Sequence, residues 1–334
     1  MSLNWLKKIG SKAEHNAFVD LCEFKQQLFC CYREAKNHIS ADGRICILTL
    51  NTQGHVLHSS RITIPKTDLR DPKIIVTPDG DMLLTAYARQ TSKLNQTLST
   101  RNLNWVSQTG YSWSAAKEYA DRGWWLWRVR WHKTQAFGFA YNRKQNAIHL
   151  YSGNPRRSFH LHQPFALSLK KHNKGYPNES DIIFDNNNAF AIVRRDADSY
   201  SAQLGQSSFP FKKWRWIDLG RYIGGPVMLR LDKDFALVSG RIIKQGKLVT
   251  GLLKMNLSNG DLQELLILPS AGDNSYPGLV LKKRVLEKGI SQEDMLFVSY
   301  YSSHEDNKSC VYLAEINLNS LINNKVQVGL DEVK

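Results

Sequence analysis

The chain has 334 residues, of which 42% are hydrophobic and 22% are charged. This length is enough to bury a large core, and the 21 glycines and 10 prolines are too few for a collagen-like or low-complexity chain. No run of about 18 apolar residues occurs, which excludes a transmembrane helix. We therefore expect no membrane among the partners of the chain.

The charge balance is strongly basic: 45 Lys and Arg against 30 Asp and Glu give a net charge of +15. Such a surface attracts polyanions. Basic residues alternate with aromatic ones only in two short segments, residues 156–160 and 212–216. Both have the Pro or Gly neighbours of loops, and no known nucleic-acid module accompanies them. Nucleic-acid binding is therefore not expected.

Cysteine and histidine show no metal-binding pattern. The five cysteines form no CxxC pair, and the ten histidines are scattered along the chain. We expect no metal and no cofactor. The first ten residues contain no long apolar segment and no small-residue cleavage site, so the chain is predicted to be cytoplasmic.

Short strand-like runs recur along the whole chain. In chain order, six apolar runs are each followed by a second run that ends in a polar or aromatic residue. The first runs cover residues 17–21, 72–76, 126–130, 181–184, 226–229 and 277–280. The second runs cover residues 28–33, 82–89, 136–142, 189–194, 235–241 and 295–301. Helical turns are predicted only at residues 115–120 and 318–323.

A period of about fifty residues with about four short strands is typical of a β-propeller blade. We predict an all-β fold: one six-bladed β-propeller domain over residues 1–334, with blades starting near residues 17, 71, 126, 179, 226 and 276. A β-sandwich would show no such repeat, and a β-helix would show a much shorter one. One blade should be closed by joining the two chain ends.

Several segments resemble one family. Residues 268–279 (LPSAGDNSYPGL), 298–305 (VSYYSSHE) and 312–314 (YLA) are similar to bacterial sialidase-like proteins, the exo-α-sialidase-related Asp-box family. Further similar segments are residues 15–18, 32–34, 68–72, 127–128, 178–179 and 224–226. An Asp-box is partly present, because Gly110, Ser112 and Trp113 fit it whereas Gln108 stands at the aspartate position.

The resemblance implies a glycoside hydrolase that acts on an acidic sugar. Members of this family use a neutral Tyr, deprotonated by a Glu, as nucleophile, and arginines bind the sugar carboxylate. Glu179 precedes Arg194 by 15 residues and Arg241 precedes Tyr276 by 35, which is similar to the spacing in the family. The resemblance thus implies a Tyr276–Glu179 pair, an Arg194–Arg241 clamp and an acidic carbohydrate ligand.

The sequence departs from the family at the first clamp arginine. The corresponding segment, residues 15–18 (HNAF), contains no arginine. Candidates to replace it are Arg33, Arg70 and Arg128. The proton donor is open between Asp42 and His38, while Asp20 and Asp71 are inner-strand acids expected to line the same pocket.

Two other functions fit the same pattern. Asp20, Asp71 and Glu179 are three inner-strand carboxylates, and residues 70–72 (RDP) are similar to a motif of furanosidase propellers. Those usually have five blades, so this alternative ranks lower. A non-catalytic glycan- or protein-binding propeller is the other possibility, with aromatic side chains in residues 124–131 and at Tyr300 and Tyr301 stacking on sugars.

Overall fold

A computed structural model describes residues 2–92, 96–285, 292–305 and 308–323. The chain begins with strand β1 (Leu3–Gly10) and then forms the first blade. That blade contains β2 (His15–Phe24), β3 (Gln27–Ala35), β4 (Arg44–Leu50) and β5 (Val56–Ile62). The second blade contains β6 (Thr67–Val76), β7 (Met82–Thr91), β8 (Thr97–Ser107) and β9 (Lys117–Ala120).

The third blade differs from the others because its inner strand is interrupted. It contains β10 (Trp125–Leu126), β11 (Arg130–His132), β12 (Gln135–Asn142), β13 (Ala147–Asn154) and β14 (Ser158–Ser168). Both β10 and β11 pair with β12, so together they replace one continuous strand. A short helix, α1 (Leu169–His172), follows.

The remaining strands build three more blades. The fourth contains β15 (Pro177–Asp185), β16 (Asn188–Arg195), β17 (Gln203–Ser208) and β18 (Arg215–Asp218). The fifth contains β19 (Gly224–Arg230), β20 (Phe235–Lys244), β21 (Lys247–Asn256) and β22 (Leu262–Leu268). The last contains β23 (Ser275–Val285), β24 (Gln292–Ser302) and β25 (Cys310–Asn317), followed by helix α2 (Leu318–Asn323).

The two ends of the chain close the ring. Strand β1 pairs antiparallel with β25 and is the outermost strand of the sixth sheet, whose order is β1-β25-β24-β23. The prediction of six blades, closed by the chain ends, is confirmed. The predicted helical turn at residues 318–323 is confirmed as α2. The one at residues 115–120 is wrong, because residues 117–120 form β9 and pair with β8.

Buried carboxylates tie neighbouring blades together. Asp20 of the first blade accepts a 3.0 Å hydrogen bond from the amide of Ile74 in the second. Asp181 of the fourth blade accepts a 2.8 Å bond from the amide of Met228 in the fifth. In these two places a carboxylate of one inner strand satisfies a backbone donor of the next blade, which fixes the two blades relative to each other.

One face of the ring gathers the starts of the inner strands and the ends of the second strands. Successive strands of a blade are antiparallel, so residues near 18, 71, 179, 225 and 276 share this face with residues near 33, 89, 194, 241 and 301. The partial Asp-box of residues 108–113 follows the end of β8 and lies at the opposite face. Among the described residues, no helix has the length and apolarity needed to cross a membrane.

Candidate functional site

Bulges at the starts of the inner strands aim side chains at the axis. In five blades the pairing register shifts between residues 17 and 20, 70 and 73, 177 and 180, 224 and 227, and 275 and 278. Four of these bulges contain a residue of positive φ: Phe18, Asp71, Gly225 and Tyr276. A bulge redirects a side chain away from the strand's regular alternation. The bulges thereby bring residues of different blades together near the axis of the propeller.

Tyr276 and Glu179 meet at this centre. The Tyr276 hydroxyl donates a 2.7 Å hydrogen bond to Glu179 Oε1. The ring of Tyr276 is enclosed by Phe18 and Trp127, with ring centres 5.3 and 5.9 Å away. Both members of the pair are buried. A phenol and a carboxylate at this distance can exchange a proton directly.

Arg194 holds the pair together. Its Nη1 donates to Glu179 Oε2 at 2.7 Å and to the Tyr276 hydroxyl at 2.9 Å, and its Nε donates to Asp196 at 2.9 Å. The backbone amide of Gly225 also donates to Glu179 Oε2, at 2.7 Å. Glu179 thus accepts three hydrogen bonds, one of them from the charged guanidinium of Arg194.

These contacts set the charge states of the pair. Burial raises the pKa of Glu179, but the Arg194 charge and the hydrogen bonds to the carboxylate outweigh burial and hold its pKa below the ordinary value. Burial and the nearby Glu179 charge raise the pKa of Tyr276 well above that of a free phenol. The resting site therefore contains a neutral phenol beside an ionised carboxylate.

Arg241 also lies close to Tyr276. Its Cζ is 5.3 Å from the centre of the Tyr276 ring. The guanidinium donates to the carbonyl of Asn274, to Asp273 Oδ1 at 3.0 Å and to the Tyr301 hydroxyl at 3.0 Å. The side chains of Arg194 and Arg241 are only 15% and 12% exposed. Both arginines that the sequence predicts as a clamp therefore face the axis.

No protein-family model matches the chain, and no curated protein matches its sequence. Solved structures do match. NanB sialidase from Streptococcus pneumoniae superposes with a TM-score of 0.65 at 10% identity, over 96% of this chain and 71% of its own. An α-L-arabinanase from Penicillium chrysogenum gives 0.70 at 14% identity, over 96% and 99%. Trypanosoma rangeli sialidase gives 0.65 at 8% identity, over 96% of this chain and 58% of its own.

The chain is a six-bladed, sialidase-like β-propeller. Its structural neighbours are glycoside hydrolases, and at 8–14% identity the likeness establishes the fold and leaves activity to be argued from the site. An α-L-arabinofuranosidase from Fusarium graminearum also superposes, with a TM-score of 0.67 at 11% identity over 96% of this chain and 99% of its own. Blade number therefore gives no ground for ranking furanosidase chemistry lower.

In this sialidase-like propeller, Asp71 also reaches the centre. It is buried at a bulge with φ +48°, and its nearest cation is Arg70, whose Nε is 3.9 Å from Asp71 Oδ2. Burial raises the pKa of Asp71; Arg70 and Lys73 oppose this, and the Glu179 charge adds to it, so the net shift is upward. The pKa of Asp71 is thus shifted upward, whereas that of the nearby Glu179 is shifted downward.

Two predicted ligand-binding residues are structural. Arg128 donates to Asp20 Oδ1 at 2.6 Å and to the carbonyl of Pro277 at 2.8 Å, and both charged side chains are 4% exposed. This pair joins the first, third and sixth blades. Asp20 is therefore ion-paired with Arg128, whereas the furanosidase alternative would use it as a third free carboxylate beside Asp71 and Glu179.

Arg33 is also structural, and Arg70 is partly so. Arg33 is fully buried and donates to Asp68 Oδ1 and to the carbonyls of Asn37 and Ser40. Arg70 donates to Asp68 Oδ2 and to the carbonyl of His38. Arg33 therefore cannot replace the missing clamp arginine, because its donors are used to hold the β3–β4 loop.

The two predicted proton donors lie in that loop but differ in their surroundings. Asp42 is exposed and caps the amide of Lys36, so its carboxylate serves the loop itself. His38 extends to the sixth blade, where its Nδ1 lies 2.8 Å from Asp273 Oδ2. Its ring stacks edge-on against Phe18, with ring centres 5.1 Å apart.

Sequence reasoning missed Asp273 and His15 as members of the site, and it gave Tyr301 only as a residue that could stack on sugars. His15 Nε2 is 3.0 Å from the same Asp273 oxygen, and the Tyr301 hydroxyl donates to Asp273 Oδ1 at 2.8 Å. Asp273 lies only three residues before Tyr276 in the segment that carries the resemblance, which was the available signal. Among the described residues, His15, His38 and Asp273 form the one cluster of side chains compact enough to hold a metal ion.

Proposed function

We propose that this propeller is a retaining exo-glycosidase for an acidic sugar, with Tyr276 as nucleophile and Glu179 as its base. The observation that carries the proposal is the 2.7 Å bond from the Tyr276 hydroxyl to Glu179, braced on both groups by Arg194. A nucleophile hydrogen-bonded to a base that is itself oriented by a third group is the arrangement that covalent catalysis needs.

The chemistry follows from the charge states. The phenol oxygen of Tyr276 attacks the anomeric carbon, and its proton passes to Glu179. The bond to the leaving oxygen breaks, and that oxygen takes a proton from a general acid. Water then gives a proton to the conjugate base of that acid, attacks the anomeric carbon and displaces the tyrosine, which recovers its own proton from Glu179. A neutral phenol suits a substrate that carries a carboxylate near the reacting carbon, because an anionic nucleophile would be repelled.

The arginines support an anionic substrate. Within the described part of the chain, Arg194 Nη2 and Arg241 Nη1 have no hydrogen-bond partner, whereas the other two nitrogens of each guanidinium donate hydrogen bonds. Both guanidiniums lie against Tyr276: that of Arg194 donates to its hydroxyl, and Cζ of Arg241 is 5.3 Å from the centre of its ring. A ligand carboxylate above the ring would receive one charge-assisted hydrogen bond from each.

Asp71 is the general acid in this proposal. A proton donor must hold its proton at the working pH, and burial raises the pKa of Asp71 in that direction. Asp71 is also close enough to Glu179 for the two carboxyl groups to influence each other. Two neighbouring carboxyl groups whose pKa values are displaced in opposite directions are suited to acid and base roles.

The proposal is tested with fluorogenic sialosides, uronides and neutral glycosides on wild type, Tyr276→Phe and Tyr300→Phe. Tyr300 is a buried tyrosine whose hydroxyl donates to the carbonyl of Pro269, so it is a matched control. We expect wild type and Tyr300→Phe to hydrolyse an acidic glycoside and Tyr276→Phe to be inactive. A fluorinated, activated form of the same sugar should add one covalent label to Tyr276, detected by mass spectrometry.

Equal signals from wild type and Tyr276→Phe on every substrate would contradict the proposal. Ligand binding without turnover by either protein would leave the non-catalytic glycan-binding propeller as the better description.

A further inference from the structure

Three side chains from distant parts of the chain converge beside the proposed clamp. His15 begins β2, His38 lies in the β3–β4 loop, and Asp273 lies in the segment between β22 and β23. His15 Nε2 and His38 Nδ1 lie 3.0 and 2.8 Å from the same oxygen, Asp273 Oδ2. All three ligand atoms lie within 4.8 Å of one another.

These separations match a coordination shell. Two donor atoms, each about 2.1 Å from one metal ion, are about 3.0 Å apart at right angles and about 3.4 Å apart in the tetrahedral geometry of zinc. Both nitrogen–oxygen distances are close to the right-angle value and would lengthen by a few tenths of an ångström around a tetrahedral ion. Two imidazoles and one carboxylate are ligands that first-row transition ions such as Zn²⁺ accept, whereas Ca²⁺ and Mg²⁺ prefer oxygen ligands throughout.

The carboxylate is held in position by its other oxygen. Tyr301 and Arg241 both donate to Asp273 Oδ1, which leaves Oδ2 directed at the histidines. Ligating carboxylates in metal sites are fixed by hydrogen bonds of this kind. Asp273 is also 30% exposed, so an ion can reach it from solvent.

The loop that carries His38 is fixed as well. Arg33 donates to the carbonyls of Asn37 and Ser40, Arg70 to that of His38, and Arg89 to that of Ile39. Four consecutive carbonyls thus accept hydrogen bonds from arginines. The His38 side chain is 48% exposed, but three arginines hold the backbone around it through these hydrogen bonds. The cluster is preorganised rather than a chance meeting of mobile groups.

We propose that His15, His38 and Asp273 bind one divalent first-row transition-metal ion of the Zn²⁺ class. The inference about its role rests on the proposed function: the ion supplies the positive charge that the absent first clamp arginine would have provided. The segment where that arginine is missing is residues 15–18, and His15 belongs to it. The ion would share Asp273 with Arg241 and so lie next to the substrate carboxylate.

The affinity of this cluster for a metal ion should be moderate. His15 is only 7% exposed, and its Nδ1 has no hydrogen-bond partner among the described residues. Metal-bound histidines usually donate their second ring N–H to a partner, and losing such a partner weakens binding about 10- to 100-fold. Micromolar binding is therefore expected, weaker than in a closed structural zinc site.

The test is a titration of chelator-treated protein with Zn²⁺ by calorimetry, and with Co²⁺ by visible absorption. Wild type, Tyr276→Phe and His160→Ala should each bind one equivalent; His160 is an exposed histidine far from the cluster in sequence. His38→Ala and His15→Gln should each bind at least about tenfold more weakly. Circular dichroism melting of each variant establishes that it is folded.

Absence of saturable binding by wild type, or one-equivalent binding that survives both His38→Ala and His15→Gln, would overturn the site. In the first case the cluster is a hydrogen-bonded His–Asp–His group without an ion. Because Zn²⁺ is titrated without substrate, a failure of the proposed hydrolase activity leaves this result unaffected. The role is tested separately: Zn²⁺ should raise the affinity of wild type for N-acetylneuraminic acid, and an unchanged affinity with Zn²⁺ bound would overturn it.

Discussion

The backbone amide of Gly225 donates a 2.7 Å hydrogen bond to Glu179 Oε2. Gly225 has φ +57°, and a Cβ at this position would lie 2.8 Å from Cγ of the Tyr276 ring. One residue without a side chain thus supports the base and leaves room for the nucleophile. Both the positive φ and the contact require glycine here.

Gly225→Ala should therefore impair the site more than the fold. We expect a loss of stability of about 1–3 kcal/mol from the strained backbone, together with a larger fractional loss of kcat as Tyr276 is displaced. Hydrolysis of the best acidic glycoside and a urea unfolding curve measure the two effects. Gly246→Ala is the control, since Gly246 also has positive φ but meets no atom within 4 Å. Equal activity in both variants would show that the contact with Tyr276 is unimportant.

Glu179→Gln should leave a folded protein that cannot accept the phenol proton. An amide is not a base, so turnover should fall about 10²- to 10⁴-fold. The amide keeps an acceptor oxygen for Arg194 and Gly225, so ligand affinity should change little. The measurement is kcat by fluorogenic assay beside equilibrium binding of the product sugar. A variant with wild-type kcat would remove Glu179 from the mechanism.

Arg241→Lys should discriminate between charged and neutral ligands. An ammonium group cannot reproduce the planar fork of guanidinium. We expect binding of N-acetylneuraminic acid to weaken about tenfold and that of its uncharged methyl ester to change much less. Arg221→Lys is the matched control, because Arg221 pairs with Glu264 in the outer part of the fifth blade. Equal weakening of acid and ester would exclude a carboxylate contact at Arg241.

The pH dependence of kcat/KM should be bell-shaped and acidic. Glu179 must be ionised, and because its pKa is held below the ordinary 4.5, activity is lost only as pH falls below that value. Asp71 must be protonated, and because burial raises its pKa above the ordinary 3.8, activity declines as pH rises through the raised value. Asp71→Asn should abolish the alkaline limb and slow substrates with poor leaving groups most. An unaltered alkaline limb in that variant would exclude Asp71 as the acid.

Much of the fold could be predicted because strand periodicity is a local property. The predicted blade starts near 17, 71, 179, 226 and 276 lie within or at the edge of the observed inner strands. The apolar run at residues 126–130 predicts a continuous third inner strand, but that strand is interrupted between Leu126 and Arg130. An interruption of this kind depends on packing at the axis, which the apolar run itself does not reveal.

The site was harder to predict from the sequence, because arginines at equivalent positions in different blades have different roles. Arg33 and Arg194 both end second strands, yet Arg33 anchors a loop whereas Arg194 contacts Tyr276. What distinguishes the two arginines is the carboxylate that each one contacts, which is Asp68 for Arg33 and Glu179 for Arg194. Asp273 was missed for a related reason: His15, which contacts it, lies 258 residues earlier in the chain.

The buried pair of Arg128 and Asp20 should be essential for stability rather than for catalysis. Both side chains are 4% exposed, so removing one charge leaves the other buried without compensation. We expect Asp20→Asn and Arg128→Met each to lower the free energy of unfolding by about 3–5 kcal/mol. Arg122→Met is the control, because Arg122 pairs with Glu118 at the surface, where losing an ion pair should change the free energy of unfolding little.

The double variant Asp20→Asn/Arg128→Met separates the ion pair from general packing. With both charges gone, neither is buried alone, so the double variant should lose clearly less than the sum of the single losses. The amide of Ile74 keeps an acceptor in the asparagine, whereas the carbonyl of Pro277 loses its donor, so some destabilisation remains. Urea unfolding of all four proteins measures the coupling. Strictly additive losses would mean that the charges do not compensate each other, and that Arg128 stabilises the propeller through Pro277 and packing alone.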